Sequence, residues 1–254
     1  MLIFEVAVPR KLLCYWPENK EVKLLDCSFT HGNDPYEFFV KTEVAAENED
    51  DARRLGCDKC EDAIDFFRFC TGEDVLTSSS QVTVRKKGSA YSTGNLSLNG
   101  GVLIASPNPL TSEQLENLSR AQIAIEEEQN EEKKEALKRA IHWHARGHLE
   151  MESKIDRFIK FWIGLEVLVE YEEGKNDVIK VKKCLKSLYP ESDMEKIGEV
   201  VGRIYGIRKE IVHHGVRQPK ELDDKLGQLE NIFTDILRVR LALQPKFLAK
   251  CYFV

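Results

Sequence analysis

The chain has 254 residues, a formal net charge of −6, and 42% hydrophobic and 31% charged residues, which is the balance of a globular protein. No run of about eighteen apolar residues occurs, so we expect no membrane-spanning helix and no membrane partner. The acidic net charge argues against nucleic-acid binding over the whole surface, although a local basic patch can still bind a phosphate backbone. Seven irregularly spaced cysteines favour reduced thiols, and the N-terminus lacks the basic region of a signal peptide, so a cytoplasmic location is predicted.

The first half of the chain alternates short strand patterns with one helix. Runs of β-branched and aromatic residues predict strands over residues 1–9, 22–29, 37–46, 80–86, 90–98 and 101–106. Asn48, followed by three acids, predicts the start of a helix that runs to about Cys70 and stops at Gly72. These elements predict a small α+β domain over residues 1–108, with a mostly antiparallel sheet and one helix packed on it.

The second half, residues 109–254, carries helical patterns throughout. The predicted helices cover 112–148, 153–172, 177–189, 192–214 and 219–243. The charged block over residues 126–134 has almost no apolar face, which indicates a polar joint between two helices more than a solvated helix face. The apolar tail that begins at Lys246 is expected to dock on the fold. The predicted class is therefore α+β, with an all-α helical bundle after the sheet domain.

The segment from Arg203 to Arg217 holds the strongest candidate for a functional site. Apolar residues recur there every three or four positions and make one buried helix face, centred on Ile204. At about 100° per residue, Arg208 lies about 40° from that centre and His213 about 180° from it. The wheel predicts that the two side chains do not meet on one ideal helix. Either the last turn is distorted or another surface, most simply a second copy of the helix, completes the site.

Each of these groups also has a purely structural interpretation. An arginine at a helix edge commonly pairs with a carboxylate, here Glu166 or Glu210, and a histidine in a last turn is a favourable partner of the helix dipole. Glu166 falls in an otherwise apolar helix, and a buried acid is rarely left without a partner. A carboxylate that holds Arg208 would also orient it, so this interpretation lies close to the functional one.

The pattern Tyr-x-x-Arg-x-x-x-x-His-x-Gly over residues 205–215 resembles the Arg-x4–6-His signature of HEPN-superfamily domains. The upstream helix, with Phe-Trp-x-x-Leu-Glu-x-Leu over residues 161–168, is similar to the second recurrent feature of the Apea-like HEPN group. The similarity covers roughly residues 115–245. It implies a helical bundle that cleaves RNA without a metal ion or other cofactor, by attack of a 2′-hydroxyl on the adjacent phosphate.

The resemblance also implies a role for each residue of the motif. Arg208 would stabilise charge on the phosphate oxygens, and His213 would transfer a proton. The auxiliary residues would be Tyr205, Glu166, Lys209 and His214. Because the chain has one copy of the motif, a homodimer with two motifs lining a shared cleft is implied. Family context suggests phage defence or toxin-like growth arrest, with the α+β domain binding a regulatory partner or ligand.

Basic residues are concentrated on both sides of the motif, although the whole chain is acidic. Between residues 203 and 220 we count five basic residues against one acid, and residues 175–186 add five lysines against one aspartate. Such a local excess is what an RNA backbone would bind. The predicted RNA-binding residues are Arg203, Arg217, Lys182 and Lys183. A solvated helix face is the alternative interpretation.

A non-catalytic HEPN-fold module that binds RNA or protein, or that only dimerises, is the competing hypothesis. Lys209 favours it, because active members commonly have a small polar residue after the arginine. Such a module would bind its partner and be indifferent to the loss of His213.

Two further patterns raise the possibility of metal binding. Cys57 and Cys60 look like half a zinc site or a redox pair, but zinc normally needs four protein ligands, so two ordinary thiols on a helix are favoured. His144 and His148 lie four apart and could bind a metal ion in a metal-dependent hydrolase. A partly exposed polar face beside Trp143 is favoured, and the lining of an RNA groove is a third interpretation.

Overall fold

A computed structural model describes residues 1–12, 14, 16, 21–32, 36–73, 75–77, 81–89, 93–95, 109–148, 153–217 and 219–253. The chain divides into two compact units, Met1–Gln122 and Ile123–Val254. The domain boundary predicted at residue 108 and the strand predicted over 101–106 lie outside the described residues. The division between the units falls later, inside a helix.

The first unit is built on one antiparallel sheet. Its seven described strands are β1 (Leu2–Leu12), β2 (Val22–Leu24), β3 (Cys27–His31), β4 (Glu37–Ala46), β5 (Val75–Thr77), β6 (Val82–Lys86) and β7 (Thr93–Asn95). The strand order is β2-β3-β4-β1-β6-β7, and β5 also pairs with β1. Strand β4 pairs along nearly all of β1, from Leu2 opposite Ala46 to Lys11 opposite Glu37. All of these pairings are antiparallel.

The single strand predicted over residues 22–29 is instead a hairpin. Leu25 and Asp26 separate β2 from β3, with φ angles of 47° and 64°. Two consecutive positive φ angles define the tight turn whose twist matches a two-stranded hairpin. The sequence prediction was wrong here because neither position is the glycine or asparagine that usually marks such a turn.

One helix, α1 (Glu49–Thr71), packs on the sheet as predicted. The Asn48 side chain accepts a hydrogen bond from the Asp51 N–H at 2.9 Å, and Gly72 ends the helix with a φ of 72°. Between helix and sheet lies a group of stacked aromatic rings, Trp16, Phe29, Phe38 and Phe67. Trp16 is only 2% exposed and belongs to this core.

The rest of the described chain is helical. The helices are α2 (Ser112–Glu127), α3 (Glu131–Gly147), α4 (Lys154–Val169), α5 (Asp177–Leu188), α6 (Met194–His214), α7 (Leu222–Arg240) and a 3-10 turn (Lys250–Tyr252). The predicted polar joint is confirmed, because α2 ends at Glu127 and Asn130 caps α3. No helix among the described residues combines the length and the apolar character needed to cross a membrane.

Helix α4 lies at the centre of the second unit, where it packs against α3, α7, α5 and α6. Its buried face includes Phe158, Phe161, Trp162 and Leu165. The C-terminal tail docks as predicted: Ala249 and Phe253 are buried. The architecture is thus α+β, an antiparallel sheet with one helix followed by helices alone.

Replacing Gly164 with alanine is expected to lower the free energy of unfolding by about 1–3 kcal/mol through overpacking. A Cβ at this position of α4 would overlap the Phe233 ring and lie 3.0 Å from the Trp143 Cβ. Gly227→Ala on α7 is the matched control, because a Cβ there meets no described atom within 4 Å. The control should gain up to about 1 kcal/mol from helix propensity. Urea unfolding measures both, and equal shifts in the two variants would contradict the packing argument.

Candidate functional site

Helix α6 carries the Arg-His motif and is regular to its end. Asp193 caps its first turn by accepting the Glu195 N–H at 2.7 Å, and Ile197, Val201, Ile204 and Ile207 are its buried residues. Gly215 ends it with a φ of 63°, as its position in the sequence predicted. The N–H of Gly215 donates to the Ile211 carbonyl at 3.1 Å, so the last turn is closed.

Arg208 and His213 meet within a single chain. The Arg208 Nη1 lies 3.1 Å from the His213 Nε2. The helical-wheel prediction that they would not meet is wrong, although the turn is not distorted. The wheel gives the direction in which each side chain leaves the helix, whereas the two residues are only about 7.5 Å apart along the axis. An arginine side chain is long enough to run along the helix surface and bring its guanidinium to the imidazole.

Glu166 holds the other side of the same guanidinium. Its Oε1 lies 3.6 Å from the Arg208 Nη2, so the pairing that we expected for this acid is confirmed. The two side chains keep 23% (Arg208) and 27% (Glu166) of their surface exposed. Because α4 supplies the carboxylate and α6 supplies the guanidinium and the imidazole, the guanidinium is oriented from two helices while it remains open to solvent.

A second contact between α4 and α6 lies one helical turn before the first. Tyr205 precedes Arg208 by three residues, and Trp162 precedes Glu166 by four. Their ring centroids are 5.8 Å apart, and Trp162 is 1% exposed. Aromatic pairs at this distance contribute about 0.5–1.5 kcal/mol beyond their burial. Tyr205 therefore helps to fix the spacing of the two helices that carry the Arg208, His213 and Glu166 side chains.

His214 and Lys209 are exposed on the same helix. Within the described part of the chain, neither side chain makes a hydrogen bond or an ion pair. Val212, between them, is 50% exposed. The end of α6 thus presents an imidazole, an ammonium group and an apolar side chain to solvent beside the Arg208–His213 contact.

Two of the predicted RNA-binding residues are paired with acids. Arg203 forms an ion pair with Glu199 one turn earlier, and the Lys183 Nζ lies 3.6 Å from a Glu173 carboxylate oxygen. The Glu199–Arg203 spacing of four residues is a pattern that sequence analysis could have found. Both pairs are exposed, and such pairs contribute only about 0–1 kcal/mol. A phosphate could therefore displace either glutamate at little cost.

The other two predicted RNA-binding residues lie in different surroundings. The Lys182 ammonium crosses from α5 to α6, where its Nζ would lie 2.8 Å from a Cβ at Gly198. Arg217 lines a cavity of about 600 Å³, whose charged lining residues also include Lys154, Glu221, Asp223 and Asp224. The lysine is thus held against the motif helix, whereas the arginine stands in an acidic environment that favours a phosphate less than the sequence suggested.

His144 and His148 belong to an aromatic contact in the second unit. The His144 Nε2 lies 3.0 Å from the Thr234 hydroxyl, and its ring packs against Phe233 with centroids 5.4 Å apart. Burial, with smaller effects from His148 and Lys246, lowers the pKa of His144 well below its usual value of 6.5. His144 is half-buried and His148 is exposed, so the partly exposed face that we predicted here is confirmed, and within it His144 is a neutral packing residue.

The two cysteines of the Cys-x-x-Cys pattern are free thiols on α1. Cys60 is buried with its Sγ 3.5 Å from the Val40 carbonyl oxygen, and Cys57 is half-buried. Throughout the described ranges, no group of three or more histidine, cysteine, aspartate or glutamate side chains is placed to hold a metal ion.

Comparisons with protein-family models, with curated proteins and with solved structures found no match to this chain. The structure brings together Arg208, His213 and Glu166, and it places Tyr205 one turn away against Trp162. His214 and Lys209 are exposed on the same helix.

Proposed function

We propose that this chain is a metal-independent endoribonuclease of the HEPN type, acting as a homodimer. The observation that carries the proposal is the 3.1 Å contact between a guanidinium and an imidazole on the exposed end of α6. These two groups supply what transesterification of RNA requires, which is a positive fork for the phosphate and a group that exchanges protons near neutral pH.

In the proposed reaction, His213 takes the proton of the 2′-hydroxyl as the 2′-oxygen bonds to phosphorus. The bond between phosphorus and the 5′-oxygen breaks, and the 5′-oxygen takes a proton from solvent. Arg208 stabilises the charge that gathers on the non-bridging oxygens. The products are a 2′,3′-cyclic phosphate and a free 5′-hydroxyl, and no step requires a cofactor.

In the proposed homodimer, each protomer contributes one complete Arg208–His213 pair. Val212, which is 50% exposed beside the motif, would lie in this interface. A cleft with two such pairs would accommodate a longer RNA than one pair does. The first unit would then recognise a regulatory partner or ligand, in phage defence or toxin-like growth control.

One observation favours a second candidate, a non-catalytic module that binds RNA or a protein partner. Glu166 already pairs with Arg208 and offsets part of its charge. Lys209, exposed on the next position, could bind an anionic partner without any chemistry. The two candidates use the same surface, and RNA that binds there is cut only by the nuclease.

The test is to incubate the purified full chain with a single-stranded RNA oligonucleotide in EDTA and to identify the product ends by mass spectrometry. Fragments with 2′,3′-cyclic phosphate and 5′-hydroxyl ends are expected. A matched oligonucleotide with a single 2′-deoxy nucleotide at the cleavage position should bind equally and remain intact. RNA that is bound but never cut would favour the binding module, and cleavage that stops in EDTA would overturn the proposal.

A further inference from the structure

We infer that Nε2 is the catalytic nitrogen of His213, and that Arg208 occupies its lone pair until an RNA phosphate draws the guanidinium away. The inference describes how the proposed site is regulated, and it rests on the proposed function for the role of Nε2 in RNA cleavage. Its starting point is the 3.1 Å separation of Arg208 Nη1 and His213 Nε2.

The chemistry of the guanidinium decides which form of the imidazole is present. A guanidinium has five N–H donors and no acceptor, so in any hydrogen bond with His213 it must be the donor. Nε2 must then accept through its lone pair. A neutral imidazole carries its single proton on the other nitrogen, which places that proton of His213 on Nδ1. A doubly protonated ring would place an N–H donor on Nε2 opposite the N–H donor on Arg208 Nη1, and two donors cannot form a hydrogen bond.

In this arrangement His213 has no nitrogen free to accept a proton. Nδ1 already carries one, and the Nε2 lone pair points to Arg208. The protein without RNA therefore contains both groups that the reaction needs, but the Nε2 lone pair of His213 is blocked. Activation requires an acceptor that binds Nη1 more strongly than the imidazole does.

A phosphodiester is such an acceptor. The resting contact has a charged donor and a neutral acceptor, whereas a phosphate oxygen is charged as well, so the phosphate also attracts the guanidinium as an ion of opposite sign. When a non-bridging phosphate oxygen takes Nη1, Glu166 still holds the guanidinium through Nη2, 3.6 Å away, so Arg208 stays at the site. Once Nη1 leaves, the two neutral tautomers of His213 exchange through solvent, and the Nδ1–H form then presents an unoccupied Nε2 that accepts the proton of the neighbouring 2′-hydroxyl. Binding of the RNA phosphate to Arg208 thus both positions the phosphate and frees Nε2 of His213 to act as the base.

The state of the ring can be read by nitrogen NMR of the histidine-labelled full chain at mildly alkaline pH, with His213 assigned from the spectrum of His213→Gln. The expected result is a dominant Nδ1–H form of His213 in the free protein. Saturation with a 2′-deoxy dinucleotide, whose single phosphodiester cannot be cleaved by this chemistry, should abolish that dominance. Arg208→Met, which keeps a long side chain without donors, should abolish it without any ligand.

His214 is the internal control, because it is exposed in the same turn and makes no side-chain hydrogen bond in the described part of the chain. Its tautomers should not respond to Arg208→Met. A His213 that is mainly Nε2–H in the free protein overturns the inference, as does a His213 spectrum that the dinucleotide leaves unchanged. The proposed function is judged separately. If RNA is cleaved but the Nδ1–H form of His213 is not observed, this inference alone is rejected. If the NMR response occurs without cleavage, the nuclease is rejected and phosphate control of the Arg208–His213 pair stands.

Discussion

His213→Ala is expected to slow RNA cleavage by about a hundred- to ten-thousand-fold at saturating RNA, the range for loss of general acid–base catalysis. RNA affinity should change little, because the imidazole is assigned to proton transfer and the guanidinium to phosphate binding. The side chain is exposed in the last turn of α6, so its removal opens no core cavity. Single-turnover cleavage in EDTA measures the rate, and thermal unfolding followed by circular dichroism shows whether the fold is kept.

The matched variant is His214→Ala, one residue further along the same exposed turn. It removes an imidazole of the same kind that does not contact Arg208. We expect a loss well below the hundredfold that marks acid–base participation. Equal losses in both variants would mean that the Arg208 contact does not select the catalytic histidine. Unchanged cleavage in His213→Ala would contradict the proposed mechanism outright.

The comparison of the two histidines depends on a geometric detail that the sequence could not provide. The pairing of Glu166 with Arg208 was predictable, because a carboxylate in an apolar helix needs a cationic partner and an arginine stands at the edge of the neighbouring helix. The contact of Arg208 with His213 was not. A helical wheel records directions at the backbone, and the position of a guanidinium depends on torsion angles that sequence periodicity does not contain.

The same limit explains which parts of the fold were predictable. Asn48 starts its helix as predicted, and Gly72 and Gly215 stop theirs, because capping is local hydrogen-bond chemistry within a few residues. The burial of Trp16 was not predictable, since its contacts are aromatic residues distant along the chain. The Leu25–Asp26 turn likewise depends on sheet pairing that overrides local preference. Local signals were therefore reliable, and contacts between distant residues were not.

The largest effect on stability is expected at Asp235, a carboxylate with no exposed surface. It accepts hydrogen bonds from the Tyr189 hydroxyl, from the Lys246 N–H at 2.9 Å and from the Ala249 N–H at 3.0 Å. The last two donors belong to the C-terminal tail, so a single side chain of α7 holds that segment on the bundle. Burial and the neighbouring carboxylate raise the pKa of Tyr189, which keeps its hydroxyl protonated as a donor.

Asp235→Ala is expected to lower the free energy of unfolding by about 3–5 kcal/mol, because three buried donors lose their acceptor and each costs about 1–3 kcal/mol unless water reaches it. The two backbone donors can recover water only if the tail undocks. Hydrogen exchange at the Lys246 and Ala249 amides should therefore become fast, while α7 itself stays protected. Urea unfolding gives the total loss in the free energy of unfolding.

The matched variant Tyr189→Phe removes one of the three donors and keeps the ring, whose centroid lies 5.7 Å from that of Phe253. It should cost about 1–2 kcal/mol and leave both amides protected. A Tyr189→Phe variant as unstable as Asp235→Ala would show that the hydroxyl, and not the attachment of the tail, accounts for the stabilisation.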